Sequence, residues 1–135
     1  MENNFSKVRD FLLEMEMVIH KENLEDQFFV VSDQDRGIHH MIVDCEHPIL
    51  ILEQVIAKIP LEREDLSDIW QGFLQINRKM VHGAFALDES GTMVIFRDTL
   101  RLDDLNFGEL EASVGALSMG LAEHGDKILG WTSTN

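Results

Sequence analysis

The 135-residue chain reads as an α+β protein in the order α-β-β-β-α-β-β-α, an antiparallel sheet with helices packed on it. Three observations carry this reading. Apolar residues recur at helical spacing in three stretches, five short runs between them are rich in β-formers, and clusters of turn residues separate those runs. There is no repeat, no low-complexity linker and no break in composition, so residues 1–135 are expected to form one domain.

The first helix rests on Phe5, Val8, Leu12, Met15 and Ile19, spaced by three and four, with Asn4 as cap. After the polar stretch His20 to Asp26, the run Gln27-Phe28-Phe29-Val30-Val31 reads as a buried strand. Turn residues from Ser32 to Gly37 lead to a second strand, Ile38 to Cys45, and His47-Pro48 turns the chain again. Ile49 to Ile56 is a third strand ended by Pro60, with a short helix from Glu53 as the alternative.

Leu66, Ile69, Trp70, Phe73, Leu74, Asn77 and Met80 follow helical periodicity behind an acidic first turn, and Arg78 and Lys79 suit the C-terminal end of that helix. Val81 to Leu87 and Thr92 to Leu100 are paired strands joined by Asp88-Glu89-Ser90-Gly91. The last helix starts at a capping box, Asn106 with Glu109, flanked by Leu105 and Leu110 as a hydrophobic staple, and Gly125 and Gly130 suggest termination or fraying.

Composition narrows the function. Lys and Arg number 11 against 25 Asp and Glu, a net charge of −14, and even six protonated histidines leave the balance negative. Such a surface repels phosphate backbones and anionic lipid, so neither nucleic acid nor membrane is an expected partner. The single cysteine, Cys45, excludes an intramolecular disulfide, and no signal segment precedes Asn4, so the cytoplasm is the expected compartment.

Candidate chemistry is sparse. His39, His40, Asp44 and His47 lie close in sequence, but adjacent strand residues point to opposite faces, which argues against one ion held by both His39 and His40. Asp33-x-Asp35-x-Gly37 opens like a calcium loop, yet its twelfth position is Asp44, inside a strand, so a hairpin turn is the better reading. Cys45 and His47 could bring a thiol beside a base, although a lone cysteine is more often a small buried hydrophobe. The carboxylate pairs Asp88-Glu89 and Asp103-Asp104 sit in polar turns. Gly83, Gly91 and Gly108 share no phosphate-binding turn. No catalytic residue, cofactor or metal site is expected.

The chain has more apolar faces than two helices on one sheet need. Beside the stripe of Phe107, Leu110, Val114, Leu117 and Leu121 runs a line of small residues, Ala112, Ala116 and Gly120. Ala112, Ala116, Leu117 and Gly120 are therefore candidates for a homodimer interface, the alternative being that the first helix covers that side.

Residues Ile76 to Leu121 add wording of their own: Ile76-Asn77-Arg78-Lys79-Met80-Val81-His82-Gly83-Ala84-Phe85-Ala86-Leu87-Asp88, then Val94-Ile95-Phe96-Arg97-Asp98-Thr99-Leu100, then Leu110-Glu111-Ala112-Ser113-Val114. This resembles the YbjN family, grouped with the type III secretion chaperone-like (Tir chaperone) proteins. The resemblance implies a type III secretion chaperone-like fold, a homodimer and an unidentified protein partner bound through apolar surface, without nucleotide. On this chain it implies Phe5, Val8, Leu12, Met15, Phe29 and Met41 as the partner-binding surface. The competing expectation is a regulatory protein that binds a small ligand or metal through the histidine-bearing strands.

Overall fold

The computed structural model describes residues 3–134. Helix α1 (Asn4–Glu14) is followed by strands β1 (Val18–Asn23), β2 (Phe28–Asp33), β3 (Ile38–Glu46) and β4 (Ile49–Lys58). Helix α2 (Leu66–Lys79), strands β5 (Ala84–Leu87) and β6 (Met93–Arg101) and helix α3 (Phe107–Trp131) complete the chain. All six strands pair antiparallel in one sheet of order β1-β2-β3-β4-β6-β5.

The sheet has one strand more than the periodicity predicts. β1 occupies the end of the expected first helix and the polar stretch after it. The helix stops at Glu14, Glu16 takes a left-handed φ of 62°, and Ile19 pairs with Val31 instead of extending the helical stripe. β1 lies at an edge with most of its side chains in solvent, so ladder hydrogen bonds hold it and no apolar alternation announces it. β4 continues as a strand through Glu53 to Lys58, which rules out a helix there. α3 runs unbroken through Gly125 to Trp131.

Caps follow local chemistry. Asn3, one residue before the expected cap, accepts from the Phe5 and Ser6 N–H groups at 3.0 and 3.3 Å. The capping box of α3 is formed: Glu109 N–H donates to Asn106 Oδ1 at 2.8 Å, and Asn106 N–H donates to Glu109 Oε1 at 3.3 Å.

The helices cover one face of the sheet. Phe5 stacks on Phe29 with ring centroids 4.4 Å apart, and Leu110, Val114 and Leu117 of α3 are buried with Leu50, Leu52 and Phe96. Each such side chain contributes roughly 1.5–3 kcal/mol on burial. Ser113 is buried and donates to Asp98 Oδ2 at 2.6 Å, which fixes α3 on β6. Trp131 closes the far end against Phe73, and a Cβ on Gly72 would lie 2.6 Å from its indole. On the opposite face Ile42 and Val55 remain 43% and 60% exposed. Among the described residues no helix is long and apolar enough to cross a membrane.

Candidate protein-binding site

The six residues expected to line a partner surface are the core of the subunit. Phe5, Val8, Leu12, Met15, Phe29 and Met41 are all buried, the most exposed at 4%. The correction has a simple cause. The regular stripe of α1 and the inward residues of β2 and β3 satisfy each other, so none of this area is left for another chain.

Apolar surface lies elsewhere. Between α2 and β5 a groove of about 230 Å³ is lined by Trp70, Phe73, Leu74, Phe85, Leu87 and Val94, with Leu74 69% exposed. The buried stripe of α2 runs through Ile69, Gly72, Phe73 and Ile76, and Leu74 stands one position off it. Periodicity groups Leu74 with the apolar stripe, and the structure corrects this: the buried stripe is rotated towards Gly72 and Ile76, which leaves Leu74 outward. A second groove, about 420 Å³, lies between α3 and the segment after α2. Val81, Ala112, Ala116, Met119 and Gly120 line it with Lys79, Glu111, Glu123 and His124 at its margins.

Of the expected dimer residues, Ala112, Ala116 and Gly120 come together in this second groove and Leu117 does not. Leu117 is fully buried, turned inward with Leu110 and Val114. Gly120 lies under Met80, whose Sδ would be 3.0 Å from an added Cβ, so its missing side chain accommodates the subunit's own methionine.

The two sheet edges differ. β5 is an edge strand, and the Phe85 N–H and C=O face away from β6. Asn77 takes both: Phe85 N–H donates to Asn77 Oδ1 at 2.8 Å, and Asn77 Nδ2 donates to Phe85 O at 3.0 Å. A side-chain amide thus imitates the next strand and closes this edge. Among the described residues no comparable side-chain cap covers the β1 ladder.

The candidate chemical groups are placed unfavourably for catalysis. Cys45 is buried, and burial followed by the charges of Asp44 and Glu46 pushes its thiol up to about 11, which keeps it protonated. His47 is exposed beside Asp103 at 3.6 Å. The Asp33–Gly37 segment is a single 3₁₀ turn, Gln34–Arg36, ending at Gly37 with φ 74°, and Asp33 pairs with Arg36 at 3.3 Å. Asp44 lies on the helix-free face between Phe28 and Ile51. Burial, then the charges of Glu46, Glu53 and Asp26, push its carboxyl up to about 6, and its Oδ1 has no hydrogen-bond donor.

The expectation that His39 and His40 point to opposite faces is overturned. Both are exposed on the same side, because β3 carries a bulge there.

A family model described as CesT_Tir_1 matches residues 1–134. The chain belongs to the CesT_Tir_1 family. Solved structures agree in fold at low identity. YbjN from E. coli, described as a putative transcription regulator, has a TM-score of 0.66 at 11% identity, covering 91% of this chain and 92% of its own. The Yersinia pestis type III secretion chaperone SycH, in complex with a stable fragment of YscM2, scores 0.51 at 17% identity, covering 96% and 99%. The HopA1–SchA chaperone–effector complex gives 0.51 at 15%, covering 95% and 93%. No curated protein sequence matches significantly. The fold of this CesT_Tir_1 chain is therefore that of YbjN and the type III secretion chaperones, with helices on one face of an open antiparallel sheet.

Proposed function

We infer that this chain is a non-enzymatic protein-binding module of the cytoplasm, chaperone-like or regulatory, that works as a homodimer and holds a segment of another polypeptide. The single observation that carries the reading is the apolar groove between α2 and β5. Leu74 and Leu87 stand 69% and 44% exposed at its rim, over a floor of Trp70, Phe73 and Val94. Only the exposed parts of Leu74 and Leu87 remain to be covered, so a partner gains at most roughly 1.5–3 kcal/mol from each. Two of the proteins similar in fold were solved as chaperones with a bound effector or fragment, which supports a polypeptide as occupant. The net charge of −14 keeps nucleic acid and anionic membrane from competing.

The groove beside α3 is assigned to the second copy. It offers small residues, Ala112 and Ala116, that permit close approach of another helix, while Gly120 is already covered by Met80. It also carries charges of both signs, Lys79 against Glu111 and Glu123, which a two-fold axis can pair.

The test compares wild type with Leu74→Asp and Leu87→Asp, both surface changes that leave the fold intact. Each is used as bait in native extract, with captured proteins quantified by mass spectrometry. A protein retained by wild type and lost from both variants, at unchanged subunit mass and melting temperature, is the expected result. Identical capture by all three baits removes this groove as the site.

A further inference from the structure

We propose that His39 and His40, joined by His20, form a binding site for a divalent transition-metal ion of the zinc class at the β1–β3 end of the sheet. The inference is independent of the protein-binding reading. It starts from two register faults that coincide. Between Val31↔Met41 and Asp33↔Ile38, β2 contributes one residue, Ser32, and β3 contributes two, His39 and His40. Between Ile19↔Val31 and Lys21↔Val30, β1 contributes one residue without a partner, His20. Both bulges therefore present histidines, and a bulge is the device by which a sheet re-aims a side chain.

The β3 bulge is held by buried polar groups. Gln54, 5% exposed, accepts from His39 N–H at 3.0 Å and donates to Gly37 O at 3.1 Å. Ser32, 7% exposed, accepts from His40 N–H at 2.9 Å. His40 itself has a φ of 49°, a left-handed conformation that costs a non-glycine residue about 1–2 kcal/mol. Strain of this kind persists only where surrounding structure imposes it, and it concentrates at functional sites.

The result is a ring cluster. His39 Nε2 and His40 Nδ1 are hydrogen-bonded at 3.2 Å, one ring donating to the other. An ion would replace the shared proton, and the separation is close to the roughly 3.3 Å between two ligands of a tetrahedral ion with bonds of about 2 Å. The His20 ring stacks on His40 with centroids 4.7 Å apart, and its Nε2 is 2.8 Å from Ser32 Oγ. Nδ1 becomes the ligand atom in the tautomer whose Nε2–H donates to a hydroxyl such as that of Ser32. Among the described residues no three such side chains already converge on one point, so His20 must turn to complete the set. Glu16, Asp33 and Asp35 line the same cleft, of about 440 Å³, and supply negative charge to draw a cation.

Zinc chloride titrated calorimetrically into the full chain, in a large excess of Mg²⁺ to saturate exposed carboxylates, tests the site. One saturable zinc per chain is expected, with shifts of the His39 and His40 imidazole resonances. His39→Gln and His40→Asn should each weaken binding by about tenfold or more. Asparagine tolerates the left-handed backbone at position 40, so the fold is retained, and melting curves without metal verify it. His47→Gln, remote from the cluster, should bind as wild type. Absence of a saturable site, or equal affinity in His39→Gln and His40→Asn, overturns the proposal. Equal affinity in His20→Gln overturns the part given to His20.

Discussion

Asp44 shows how one residue sets a pH dependence. Its carboxyl is raised to about 6 by burial and then by Glu46, Glu53 and Asp26. In the unfolded chain it titrates near 4. Between those values the folded state holds the extra proton, so stability falls as pH rises through the window and the deficit is complete above about 6. Asp44→Asn should raise the melting temperature near neutral pH and flatten its pH profile from about 4 to 6. A variant that melts below wild type at neutral pH would contradict this account. Two glycines separate backbone strain from crowding. Gly83 and Gly91 both have positive φ, 72° and 76°, but an added Cβ at Gly83 meets the Phe96 ring at 2.5 Å, whereas at Gly91 nothing lies within 4 Å. Gly91→Ala should cost about 1–2 kcal/mol, the strain alone, and Gly83→Ala distinctly more. Thermal denaturation of the pair reads the difference.

Among the elements, the edge strands carry the main lesson. β5 spans four residues, and its outward backbone is occupied by Asn77 from α2. Asn77→Ala leaves two backbone groups to water or to another chain. It should cost about 1–3 kcal/mol and start slow, concentration-dependent association. Denaturation and light scattering over time check both effects. Periodicity puts Asn77 on one stripe with Ile69 and Phe73, whereas the buried stripe turns towards Gly72 and Ile76 and leaves Asn77 at its margin. Its role depended on β5 passing alongside, which periodicity does not contain. β1 carries no periodic signal, for the opposite reason. Its side chains face solvent, so only the partner strand Phe28–Asp33 defines it.

For the whole molecule, the proposed homodimer through the α3 groove makes a prediction about mass. Ala116 lines the groove beside α3, half-buried, while Leu117 is turned into the core. Ala116→Arg should therefore leave the melting temperature near wild type and halve the mass in light scattering. Leu117→Arg should unfold the chain, because a charge would replace a fully buried leucine. If Ala116→Arg keeps the wild-type mass, the α3 groove is not the interface.

The amino-acid order alone determined the α+β class, the start of α3 at Asn106, the pairing of the last two strands and the family wording from Ile76 to Leu121. These depend on contacts within a few residues or on period, and both are written locally. Burial was decided by tertiary structure. Phe5 and Phe29 were legible as apolar, but only their stacking shows that they complete each other and leave Leu74, Val81 and Leu87 outside. Tertiary structure likewise turned His39 and His40 to one side, because the bulge that aims them is fixed by Ser32 and Gln54 from neighbouring strands.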